Sequence, residues 1–411
     1  MIERTVLANG IRVVSERMPG AATASVGFWL AVGSRDELAP ISGASHFLEH
    51  LLFKGTAERS ARSIAEAMDA VGGEMNAYTT KEHTAYYTRL PAAQFGLGFE
   101  LLADVIATPA FRAHEIEAER QVILEEILMS EDAPEDVVDT VLFDTLFPHH
   151  ELGRDVLGDR DRIVAMSRDD IAGFFDTHYG ASNLVVAVAG DLSHDEVVER
   201  TGARLGRLRV GSAPVRTAPK DAETATKAIL RPTEQAHLAL GWRSYSHSDP
   251  VRFAVIVANQ ILGGGLSSRL FQQVREERGL AYSVFSAPTS YSDAGALSIH
   301  ASTAPARLSE LVKVMDDVVA EIAADGVSEH EIEVARGYLA GSVVLGMEST
   351  GARMGRLATG ESARGYVLPI EEYLDSVRSV TVEEVNSVLS HVLEGPRVSA
   401  VVGPVSDSDL R

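Results

Sequence analysis

"HEIEAERQVILEEI" (114–127) returns 216 residues later as "HEIEVARGYLAGSV" (330–343). Both segments open on the same four residues and go on with apolar residues at helical spacing, so one helix is written twice in the chain. A repeat this long is a duplicated domain rather than a turn of a solenoid. "SVGFWLAVGSRDE" (25–37) and "HLALGWRSYSHSD" (237–249) extend the correspondence to a strand in each half. Around them, strand-like runs such as "NLVVAVAGD" (183–191) alternate with helical ones such as "SARSIAEAMDAVG" (60–72). The expected fold class is α+β, with two homologous α/β-sandwich domains. Between them "GSAPVRTAPKDAETATK" (211–227) is polar, carries prolines and lacks apolar periodicity, which reads as a linker. The expected domains are therefore 1–212 and 228–411, joined by 213–227.

The two copies differ in their chemistry. Glu119 and Glu126 of the first fall on Ala335 and Ser342 of the second. The same offset carries the polar residues of "GASHFLEHLLFKGT" (43–56), His46, Glu49 and His50, onto Leu262, Gly265 and Leu266. The fold thus does not need these polar groups. His46 and His50 stand at i and i+4, within one helical turn on one side, with Glu49 beside them, in a helix that otherwise reads as buried all round. Two such histidines suit one zinc ion, and the glutamate is placed to act on a water at the metal. The alternative is a pair of core histidines bonded to backbone, with Glu49 as a charge partner. In 114–127, Ile116, Ile123 and Ile127 form the buried stripe, Glu119 and Glu126 share one flank, and Glu125 points away. Glu126 is therefore the third ligand candidate. Glu119 either orients a ligand histidine or pairs with a neighbouring cation.

Composition narrows the remaining possibilities. With no cysteine among 411 residues, any metal is held by His, Asp or Glu. A formal net charge of −22 repels nucleic acid and anionic membranes. No apolar run reaches the roughly 18 residues that span a bilayer, so a cytoplasmic protein with neither membrane nor nucleic acid as partner is expected.

His46-x-x-Glu49-His50 is the inverted zinc motif, and with Glu126 it resembles the family of pitrilysin, insulin-degrading enzyme and mitochondrial processing peptidase. "GGEMNAYTTKEHTAYY" (72–87), "HYGASNLVVAVAGD" (178–191) and "LGGGLSSRLFQQVREERGLAYSV" (262–284) resemble further segments of that family, so the likeness covers essentially the whole chain. Its length and layout are similar to the bacterial members related to the processing peptidase β subunit. The resemblance implies half of a clam-shell chamber and a zinc endopeptidase, with Zn2+ on His46, His50 and Glu126 and with Glu49 as the base. It also implies that Asn76 and Ala77 bind substrate backbone at an edge strand. Arg275 and Tyr282 are implied to contact substrate or the developing oxyanion, from the partner chain of a homodimer with a shared active site. Peptides are the implied substrates. The alternative function is a non-catalytic core or partner subunit of a larger complex. For Arg275 and Tyr282 the alternative is an ordinary salt bridge and a core tyrosine, and for Asn76 a turn residue. "PHHELGRDVLG" (148–158) has adjacent histidines that point apart, and "LGGGLSS" (262–268) lacks the Lys-Ser/Thr of a phosphate loop.

Overall fold

The computed structural model describes residues 1–405 of the chain. Its first sheet holds β1 (Ile2–Val6), β2 (Arg12–Arg17), β3 (Thr23–Leu30), β4 (Glu74–Thr79), β5 (Thr84–Pro91) and β6 (Leu184–Gly190), in the order β1-β2-β6-β3-β5-β4. The second holds β7 (Ala225–Leu230), β8 (Ala236–Ser244), β9 (Val284–Ser290), β10 (Gly295–Thr303) and β11 (Arg397–Gly403), in the order β7-β11-β8-β10-β9. Each sheet has one parallel pair, β2 with β6 and β7 with β11, and is otherwise antiparallel. Without the extra edge strand β1 the two orders are the same. The two-domain α/β architecture read from the repeat is thus present in the topology of both sheets. β6, buried along its whole length, takes an interior place, as a run without polar alternation must.

The two compact units are not the contiguous blocks 1–212 and 228–411. The first comprises Met1–Ile127, Arg154–Arg216 and Val344–Pro369; the second takes Leu128–Gly153, Thr217–Val343 and the chain from Ile370 onward. The cause is a reciprocal exchange of helices. The helix Thr350–Arg364 buries Met354, Leu357 and Ala358 against Val14, Trp29, Val185 and Ala187 of the first sheet. Its counterpart one repeat length earlier, Pro134–Leu146, buries Val138, Leu142 and Leu146 with Ala239, Ala400 and Val402 of the second. Each large apolar side chain so buried contributes about 1.5–3 kcal/mol. Glu361, fully buried, fixes the first of these helices by accepting two bonds of 2.9 Å from the Arg4 guanidinium. The expected linker is also shorter at its far end, because residues 225–227 already belong to β7.

The opposite face of the first sheet carries the helices Ala44–Leu52 and Phe95–Ala107, around a core of Phe28, Phe47, Leu48, Leu52, Tyr86, Phe99 and Val186. β4 ends the sheet and pairs only with β5, in a register that sets Asn76 opposite Tyr87 and Ala77 opposite Tyr86. Among the described residues no helix is long and apolar enough to cross a membrane.

Candidate metal centre

The helix Ala44–Leu52 begins at Gly43, whose φ of +94° is a conformation that favours glycine. No side chain within the helix caps it. The buried Glu37 does so instead, accepting from the Gly43 and Ser45 N–H groups, both at 2.7 Å. A carboxylate suits this position because the first N–H groups of a helix lack partners and carry partial positive charge. Phe47, Leu48, Leu51 and Leu52 are buried. The helix is not buried all round, however, since Glu49 and His50 keep partial exposure.

His46 and His50 bring their Nε2 atoms to 3.2 Å from each other. From the helix Ala113–Asp132, Glu126 Oε2 lies 3.6 Å from His46 Nε2 and 3.5 Å from His50 Nε2. Ile116, Ile123 and Ile127 are buried and Glu125 is exposed, so the helical phase turns Glu126, not Glu125, toward the two histidines. A tetrahedral zinc with ligands at about 2.0–2.1 Å sets neighbouring ligand atoms about 3.3–3.4 Å apart. The three sides of this triangle fit that requirement. The group His46, His50, Glu126 is the one cluster of three such residues among the described residues that could hold a metal ion.

The second nitrogen of His50 selects its tautomer. Nδ1 is 2.9 Å from Glu119 Oε1, and a carboxylate only accepts, so Nδ1 carries the hydrogen and Nε2 is left as a donor toward a metal. Glu119 Oε2 also pairs with Lys54 Nζ at 2.7 Å. Glu119 thus contacts a histidine and a lysine at once. His46 Nδ1 is buried without a hydrogen-bond partner. Burial, and then the charge of His50, pushes the His46 pKa down. Burial also opposes charge on His50, but hydrogen bonds to Glu119 and Glu126 outweigh it and raise that group to about 9.

Glu49 stands beside this triangle and is not part of it. Burial raises its pKa, while Thr79, which donates its hydroxyl to Oε2 at 2.6 Å, works in the opposite direction. Asn76 and Ala77 lie on β4, so the turn alternative for Asn76 is excluded; the Asn76 Oδ1 accepts from the Ala77 N–H at 2.8 Å. Arg275 and Tyr282 belong to the second unit. There the Arg275 guanidinium lies 4.6 Å from the Tyr282 ring and 4.8 Å from that of Phe271, on a π-helical turn Phe271–Glu276. Tyr282 is 81% exposed and is no core residue. His150 bonds the Thr217 carbonyl at 2.9 Å, a structural contact. Sequence reading missed Glu37, Lys54 and Thr79. Only Lys54, one turn beyond His50 on the same motif, left a signal, as a candidate cation for Glu119.

Residues 12–160 match the sequence family described as Insulinase (Peptidase family M16), and residues 165–339 match the Peptidase M16 inactive domain. An uncharacterized zinc protease of Mycobacterium tuberculosis is 45% identical over 98% of this chain and 93% of its own length. The chain belongs to the M16 peptidase family. An uncharacterized zinc protease of Bacillus subtilis is 34% identical over 98% of both chains. Among solved structures, a peptidase M16 inactive domain from Pseudomonas fluorescens superposes with a TM-score of 0.91 at 25% identity, covering 99% of this chain and 98% of its own. A protease from Helicobacter pylori, at 23% identity and a TM-score of 0.92 over 98% and 99%, shares the fold. The names of these relatives specify zinc, and the His46, His50, Glu126 triangle has the donor set and spacing that fit such an ion.

Proposed function

We propose that the chain is a zinc-dependent endopeptidase acting on extended or unfolded peptide segments, with His46, His50 and Glu126 holding the metal and Glu49 as general base. What carries the reading is a carboxylate, Glu49, poised beside a triangle of three metal-ligating atoms without belonging to it. A scaffold subunit has no physical need for either.

When bound, zinc supplies a Lewis acid for a water and a peptide carbonyl. Glu49 takes the proton of the attacking water at a carboxylate oxygen and returns it to the leaving amine. Its pKa, raised by burial, strengthens it as a base. Glu119 keeps the proton on His50 Nδ1 and so fixes that ring. The open edge of β4 takes a peptide by strand addition, with Asn76 and Ala77 at the point of contact. Arg275 and Tyr282 present a guanidinium and a phenol, donors suited to developing negative charge. In the proposed homodimer, enclosing a chamber, these two groups reach the metal of the partner subunit.

The test pairs zinc content with cleavage of a quenched fluorescent peptide mixture, for the parent chain and Glu49→Gln. One zinc per chain in both, with cleavage by the parent alone, is the expected result; cleavage by Glu49→Gln refutes the base. For the shared site, Arg275→Ala chains mixed with Glu49→Gln chains recover activity that neither has alone. No recovery refutes the trans arrangement.

A further inference from the structure

Thr79 ends β4, and its place in the hairpin decides which of its groups are free. The Thr80 N–H donates to the His83 carbonyl at 2.8 Å across the turn. Antiparallel pairs alternate between bonded and non-bonded, so Asn76 and Tyr78 bond β5, and the N–H and C=O groups of Met75, Ala77 and Thr79 face the open edge. Two of these N–H groups already face polar side chains of the chain itself. That of Ala77 meets the Asn76 side chain, which a docking peptide displaces by small side-chain rotation. That of Thr79 is turned toward the Glu49 carboxylate, whose Oε2 accepts from the Thr79 hydroxyl at 2.6 Å.

We infer that Thr79 is a positioning residue for Glu49 and the stop that sets substrate register on β4. The inference rests on the reading of Glu49 as the general base. The Thr79 hydroxyl holds Glu49 Oε2 at 2.6 Å, which leaves Oε1 to meet the water. A carboxylate on a two-atom stem has rotational freedom about its last bond, and a short hydrogen bond to one of its oxygens restrains it. Because the Thr79 N–H is turned toward the Glu49 carboxylate rather than open solvent, a peptide extending the sheet exchanges hydrogen bonds with β4 only as far as Ala77, and its next residue is delivered to the base. Strand and base are thereby joined through one side chain: the residue that ends peptide docking is the residue that aims Glu49.

The experiment uses the zinc-loaded full chain with Thr79→Val, which keeps the shape and removes the hydroxyl, and Thr79→Ser, which restores it. Steady-state kinetics on a quenched fluorescent peptide, zinc content and thermal melting are read for each. General bases contribute about 10²–10⁴ in rate, so loss of alignment in Thr79→Val is expected to lower kcat about ten- to hundredfold. KM stays within about twofold, since the backbone edge of β4 is untouched. Zinc content and melting temperature match the parent, and Thr79→Ser recovers most of kcat. Parental kcat in Thr79→Val overturns the inference, as does equal loss in the Ser and Val variants, or a loss that tracks zinc content. If the parent cleaves and Glu49→Gln does not, such a failure concerns Thr79 alone. If the zinc-loaded parent does not cleave, the base reading falls and the inference with it.

Discussion

Glu119→Gln isolates what the carboxylate behind His50 contributes to metal binding. The substitution keeps the side chain's size, and the amide oxygen still accepts from His50 Nδ1. Lost are the negative charge 2.9 Å from that nitrogen and the ion pair with Lys54 at 2.7 Å. Lys54 keeps 38% of its side chain exposed, so its ammonium remains hydrated and its desolvation adds little to the measured loss. The effect therefore reports the weaker basicity and looser orientation of His50. Removal of such a partner costs about 10–100-fold in metal affinity, or about 1.4–2.7 kcal/mol. Competition with a chromophoric zinc chelator measures it, with Glu126→Gln, which removes a ligand atom, as the reference. An unchanged dissociation constant refutes the orienting role. A loss as large as that of Glu126→Gln also refutes it, because Glu119 then behaves as a ligand.

Three further outcomes follow from the packing and the buried charge. A fragment ending at residue 212 lacks the helix Thr350–Arg364 and leaves Trp29 and Val185 uncovered; it is expected to show no cooperative melt, and a sharp transition in calorimetry contradicts the exchange. Leu357→Ala in the full chain, with Leu357 fully buried, is expected to cost about 2–5 kcal/mol in urea unfolding. Burial raises the Glu37 carboxyl from 4.5 to about 7, so between those values the folded chain holds a proton that the unfolded chain has released. That contribution is complete below 4.5 and is lost as pH rises through 7. Relative to Glu37→Gln, the parent is expected to lose about 3 kcal/mol over the window, and a difference that stays flat with pH excludes it.

The duplicated segment at 114 and 330 was enough to read the repeated topology, because a helix and its flanking strands leave their period in the chain. It could not show that Pro134–Leu146 and Thr350–Arg364 trade sheets. An amphipathic pattern says that a helix buries a face, not which sheet receives it. Helical phase separated Glu126 from Glu125, since both sit on one rigid element with the buried isoleucines as reference. Thr79 and Glu37 carry no such phase. They reach the metal helix from a strand end and a loop, and their roles come from tertiary distances alone. Arg275 and Tyr282 were found by resemblance, and the structure adds Phe271 as the second ring against the guanidinium.

The exchange of helices also sets a timetable. A ribosome adds about 5–20 residues per second, so Met354 emerges on the order of 10–30 s after Gly190 completes the last strand of the first sheet. Every residue of the metal triangle has been made by then, yet the face bearing Val14, Trp29 and Val185 still waits for its cover. A nascent chain in that interval is an apolar sheet with one side bare, a natural client for a holding chaperone. A message cut short anywhere before the codon for Thr350 yields a product that lacks the cover for that face.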